Sequence, residues 1–149
     1  MVWTPRTTVA AVIENEGRFL LIEEESELHT QNVFNQPAGH LEAGESLIDA
    51  VIRETLEESG YDFLPTFLTG IYRWIEPNSG NTYLRFSFTG KLGQHHPDLP
   101  LDTGIIGPRW LTYDEIINLE GSLRSPLVKH CINDYLAGQR FPLHLLADI

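Results

Sequence analysis

The stretch GHLEAGESLIDAVIRETLEESGY, running from Gly39 to Tyr61, holds three glutamates, Glu54, Glu57 and Glu58, at i, i+3 and i+4. At about 100° per residue these three fall within roughly 100° of arc on a helix. Ile48, Val51, Ile52, Thr55 and Leu56 gather on another arc, centred roughly 130° away by the same count. The spacing therefore predicts a helix with one face greasy enough to pack on a sheet and another that carries carboxylates side by side. Like charges at that spacing repel and destabilise a bare helix. A hard divalent cation turns the defect into a site, because Mg²⁺ takes carboxylate oxygens and keeps waters and substrate phosphates as its other ligands.

Outward from the glutamates, the frame Gly39, Glu45, Arg53, Glu54, Glu57, Glu58 and Gly60 resembles the Nudix signature at every charged and glycine position. Two apolar positions depart from it: Thr55 stands where an aliphatic is usual, and Tyr61 follows the last Gly. Thr55 keeps a methyl on the packing face, so the departure bears on packing and not on chemistry. The resemblance implies an α/β/α sandwich with a mixed β-sheet, formed by residues 1–149 as one domain. It also implies hydrolysis of a phosphorus-containing acid anhydride with Mg²⁺, or Mn²⁺ in its place. Glu54, Glu57 and Glu58 are the expected metal ligands, joined by the Gly39 carbonyl.

Breaking a diphosphate linkage asks a protein mainly to neutralise oxygens, orient a water and stabilise the leaving phosphate. Either Glu54 or Glu58 is suited to accept the proton of that water, and the sequence does not choose between them. Arg53 lies four residues before Glu57 and is expected to brace that carboxylate. Glu45 sits near the helix N-terminus, where negative charge is favoured, and is assigned a structural role first and a metal role second. Trp74, Tyr72, Phe34 and Arg85 are candidates for a stacking and phosphate-clamping pocket, Trp74 foremost. His95 and His96, with Asp98 or Asp102, stand in a loop from which they can approach phosphates or add a metal ligand. His40, His95 and His96 lack the paired spacing of a zinc site.

Other stretches resemble one phosphatase subgroup of the same family: NQPAGHLEAGE at Asn35–Glu45, RWIEP at Arg73–Pro77, LRFSF at Leu84–Phe88, LRSPLV at Leu123–Val128 and GQRFPL at Gly138–Leu143. That resemblance implies release of inorganic phosphate from nucleoside di- and triphosphates and from thiamine-type diphosphates. The alternatives are a pyrophosphatase that cleaves dinucleotides or nucleotide sugars, and a nucleotide-binding module without turnover. An intact RE-x-x-EE argues against the last, since a binder needs no such trio.

A chain of 149 residues with 42% hydrophobic content is long enough to bury a core. No apolar run approaches the roughly 20 residues of a membrane helix, and MVWTPRTTVA does not read as a signal peptide. The lone Cys131 rules out an internal disulfide and favours a reducing, cytoplasmic compartment. A formal charge of −11 argues against a nucleic-acid duplex as partner. A small anionic substrate approaching such a protein needs a cation between them; the expected assembly is a monomer or small homo-oligomer.

Strands are expected at 7–14 and 18–23 around an Asn15-Glu16-Gly17 turn, at 63–74, at 82–91 and at 108–111. Residues 24–31 read as a solvated loop, residues 34–44 as a shaped loop with Pro and Gly, and residues 93–104 as a loop. Capping boxes are expected at Ser46-x-x-Asp49 and Thr112-x-x-Glu115. Pro126 opens a third helix that ends at Gly138.

Overall fold

The computed structural model describes residues 1–27 and 30–149; part of the loop expected at 24–31 therefore lies outside the described residues. The chain begins with β1 (Arg6–Val12), β2 (Glu14–Asn15) and β3 (Arg18–Glu24). Glu16 and Gly17 both take positive φ, 51° and 78°, the backbone of a two-residue hairpin turn whose twist suits its strands. Where one strand was expected from residue 7 to 14, the chain leaves one sheet at Ile13 and enters a second.

The expected loop at 34–44 contains two short strands, β4 (Val33–Asn35) and β5 (Ala38–His40). Helix α1 (Leu47–Ser59) follows, then the long hairpin of β6 (Tyr61–Ile75) and β7 (Thr82–His95), and then β8 (Ile105–Thr112). Helices α2 (Tyr113–Asn118) and α3 (Leu127–Leu136) and the two-residue β9 (Phe141–Pro142) complete the order. A five-stranded sheet runs β5-β1-β7-β6-β9. Its β1–β7 pairing is parallel and its other pairings are antiparallel, so this sheet is mixed. In the second sheet β3 pairs antiparallel with β2, β4 and β8.

Alternation along the strands divides the interior in two. Val9, Ala11, Phe63, Leu68 and Phe88 turn to α1 and pack with Ala50 and Val51. Val12, Phe19 and Leu21 pack with Ile116 of α2 and with Val128, Cys131 and Ile132 of α3. Helices thus cover both sides, as in an α/β/α sandwich. No helix among the described residues is long and apolar enough to cross a membrane.

The buried side of α1 differs from the expected arc. It consists of Ala50, Val51, Glu54, Thr55, Glu58 and Ser59, while Ile52 and Leu56 are half-buried. The packing face is turned toward the carboxylates, so Glu54 and Glu58 are buried and not displayed on a separate solvated face.

Candidate active site

Three local devices hold α1 in place. Ser46 caps its N-terminus by accepting the Asp49 N–H at 3.0 Å, and Gly60 ends it in the left-handed region at φ 77°. The Ala38 N–H of β5 donates to Glu58 Oε1 at 2.9 Å, tying the helix to the sheet edge. Gly39 then passes directly over Glu54: a Cβ built at Gly39 would sit 2.1 Å from the Glu54 carboxyl carbon. Glycine is required here for space, because no other residue leaves that carboxylate its place.

Arg53 is the hub of the acidic set. It grips Glu45 through two hydrogen bonds at 2.7 and 3.0 Å, and it reaches Glu54 at 2.8 Å and Glu57 at 3.1 Å. A further bond to the His40 carbonyl at 3.1 Å fixes it to β5. Its expected contact with Glu57 is present, but the two-pronged grip on Glu45 is what anchors it. This explains Glu45 better than its place near the helix end, and the Arg53 hydrogen bonds hold the Glu45 carboxyl below its usual range.

The carboxylates divide into two arrangements. Oxygens of Glu54, Glu57 and Asp102 lie within 4.8 Å of one another. Asp102 comes from the loop before β8 and is held there by its N–H, which donates to the Glu57 carbonyl at 3.1 Å. Glu58 stands deeper, with one oxygen on Ala38. Burial, and then repulsion from Asp102, raises the proton affinity of Glu57. Burial raises that of Glu54 against the pull of Arg53, and pushes Glu58 up to about 9. Oxygen donors gathered so closely, with burial raising the proton affinity of the three glutamates, fit a hard divalent cation. Asp102 was only one of several weak candidates in the sequence, since nothing in its spacing connects it with α1.

A cleft of about 1450 Å³ opens beside these residues, with Gly39, Glu54, Glu58, Trp74, Tyr83 and Arg85 among its walls. The strand register builds its floor. His40 pairs with Thr8, Thr8 with Arg85, and Trp74 with Tyr83. Because side chains on a strand alternate, Tyr83 and Arg85 share one face of β7. The Trp74 and Tyr83 ring centroids are 5.9 Å apart.

Two of the expected pocket residues are placed elsewhere. Phe34 packs with the Val12–Phe19 cluster and does not line the cleft; its neighbour Asn35, on the opposite side of β4, does. Tyr72 packs in the same cluster and donates its hydroxyl to Asp134 at 2.6 Å. His95 stacks on Tyr61 with centroids 4.2 Å apart and His96 pairs with Asp62 at 3.0 Å, so both rings are engaged by residues at the start of β6.

An acidic helix seated under a glycine strand, braced by one arginine and open to a cleft, is the arrangement of a Nudix hydrolase. The chain belongs to that family: the NUDIX domain matches residues 4–131. It is an enzyme of the class that hydrolyses phosphorus-containing acid anhydrides. It is 42% identical over 144 residues to phosphatase NudJ of Escherichia coli K12, covering 97% of this chain and 92% of the relative. A Nudix hydrolase of Nitrosomonas europaea superposes with a TM-score of 0.95 at 51% identity, over 98% of both chains. The MutT protein of Methanosarcina mazei has a TM-score of 0.71 at 23% identity, over 93% of this chain and 99% of that one, a likeness of fold alone.

Proposed function

We propose that the protein is a cytoplasmic, Mg²⁺-dependent phosphohydrolase. In this reading it releases inorganic phosphate from nucleoside di- and triphosphates and from thiamine-type diphosphates. The observation that carries it is the near-complete match to phosphatase NudJ, 42% identical over 97% of this chain. The carboxylate set at the cleft is consistent with it. Glu54, Glu57 and Asp102, with Glu58 and the Gly39 carbonyl behind them, would hold Mg²⁺ or Mn²⁺. The bound cation supplies charge neutralisation at the phosphoryl oxygens and a more acidic water.

The remaining work falls to side chains. Arg53 keeps Glu54 and Glu57 oriented, a task that outlasts any one turnover. Glu54 or Glu58, both on the cleft wall, takes the proton of the attacking water. Trp74, with its strand partner Tyr83, offers an aromatic surface to the organic part of the substrate. Arg85 meets phosphoryl oxygens on the floor. A strongly acidic protein that acts on anions depends on such cations, resident or bound.

Two measurements test the reading together. With thiamine diphosphate or a nucleoside diphosphate, ³¹P NMR should find orthophosphate among the products in Mg²⁺, and exhaustive EDTA treatment should abolish its release. Full activity after chelation would remove the metal from the mechanism. Ready cleavage of dinucleotides, with no orthophosphate from any di- or triphosphate, would mark a pyrophosphatase instead.

A further inference from the structure

Arg85 is a buried cation that no carboxylate contacts, although Glu58 and Glu24 lie near enough to favour its charge. It is 6% exposed, and among the described residues no carboxylate oxygen lies within 4.0 Å of its guanidinium. Its Nη1 donates to Gln36 Oε1 at 3.0 Å, and its Nε has no hydrogen-bond partner. The other arginine of the cleft wall and its lysine are already engaged. Arg124 pairs with Glu24 at 2.7 Å and Lys129 with Glu120 at 3.1 Å.

Gln36, 1% exposed, uses both ends of its amide. Oε1 accepts from Arg85, and Nε2 donates to the Ala11 carbonyl at 3.2 Å. Turning the amide over would break both bonds, so the group is locked with its acceptor toward the guanidinium. A carboxylate at position 36 would hold Arg85 equally well and neutralise it. The amide holds it without adding a negative charge in contact with it. Beside it Asn35, which lines the cleft and is 8% exposed, carries an Oδ1 without a partner. A guanidinium withdrawn from water without a contacting anion is costly, and this one belongs to a residue that lines a cleft open to a ligand.

We propose that Gln36 is a positioning residue: a neutral bracket that keeps the Arg85 fork in place, with its charge available to an anionic phosphoryl oxygen of the substrate. This rests on the phosphohydrolase reading and adds to it the residue that sets how tightly the substrate's phosphate is held.

The test compares Gln36→Glu with the parent enzyme in Mg²⁺. The added carboxylate should neutralise Arg85, raising KM for the diphosphate about tenfold and weakening inhibition by inorganic phosphate by a similar factor, with a smaller change in kcat. Loss of one charge-assisted hydrogen bond corresponds to a factor of that order. Arg85→Lys, which keeps the charge but not the fork, should fall between the two. If Gln36 only packs, Gln36→Glu will lower thermal stability through the lost bond to Ala11 and leave KM and phosphate inhibition within twofold, which overturns the proposal. Should Gln36→Glu fail to fold, Gln36→Met and Arg85→Lys carry the same comparison, with unchanged KM and phosphate inhibition again overturning it. Mn²⁺ binding followed by EPR reports on the metal centre separately, so failure of the metal reading is distinguishable from failure of this one.

Discussion

Glu58 combines two demands that conflict in the metal-free protein. Its place under β5 gives it the Ala38 N–H, which favours the charged form, yet burial and the nearby Glu54, Glu24 and Asp102 outweigh that bond and push its pKa up to about 9. The folded state therefore binds the Glu58 proton more tightly than the unfolded chain, whose carboxyl has the ordinary value of 4.5. The stabilisation is complete below that ordinary value and is lost as pH rises through the folded one. Denaturant titrations of the metal-free protein should accordingly lose midpoint between about pH 5 and 9, and Glu58→Gln should flatten the loss. The same variant, like Glu57→Gln, should lower kcat by roughly 10²–10³ in saturating Mg²⁺, the effect of removing about 3–4 kcal/mol of charge stabilisation. Wild-type turnover in both variants would refute their role. The glutamate trio was legible because a helix repeats its own geometry. Asp102 was legible only as an alternative to Asp98 for a further metal ligand, because a loop hydrogen bond and not a helical repeat carries it to Glu57.

At the scale of elements, the two expected capping boxes differ. At α2, Thr112 accepts the Glu115 N–H while the Glu115 carboxylate returns to the Thr112 N–H at 3.0 Å. At α1 only the Ser46 half forms; the shorter Asp49 side chain makes no returning bond. Ser46→Ala should therefore cost about 1 kcal/mol of stability, while Asp49→Ala should cost clearly less, as read from urea midpoints. Equal losses would mean that Asp49 closes the box in solution. Helix α1 and the long hairpin were legible from periodicity and turn residues. Strands β4 and β5 were not, since each is three residues long and Pro37 and Gly39 mark a loop by composition. Their strand character comes from their partners, β3 and β1. Strand β7 similarly runs on to His95, where Gly93 suggested a loop, because β6 continues opposite it.

Over the whole molecule, the two sheets and their helices enclose a cleft that no single segment announces. Its position follows from register: β5, β1, β7 and β6 bring residues from four separate stretches onto one floor, and local pattern carries no information about that alignment. Phe34 and Tyr72 looked like pocket residues for the same reason that they are core residues, since a half-buried aromatic reads identically from either side of a sheet. The charge of the cleft is a property of the assembly too. Glu24, Glu25, Glu27, Glu42, Glu54, Glu58, Glu76 and Glu120 line it, against Arg85, Arg124 and Lys129, in a chain of net charge −11. An anionic substrate approaches against this field even when a divalent cation is bound, because most of these acids lie outside the carboxylate cluster. Monovalent salt screens such repulsion over about 8–10 Å at physiological strength. At saturating Mg²⁺, kcat/KM should therefore rise as NaCl increases from about 10 to 150 mM, whereas an enzyme that steers its substrate by attraction shows a fall. Stopped-flow or initial-rate measurements at low substrate decide between the two. A fall would mean that bound metal reverses the sign of the cleft, and that the acids around it contribute to solubility alone.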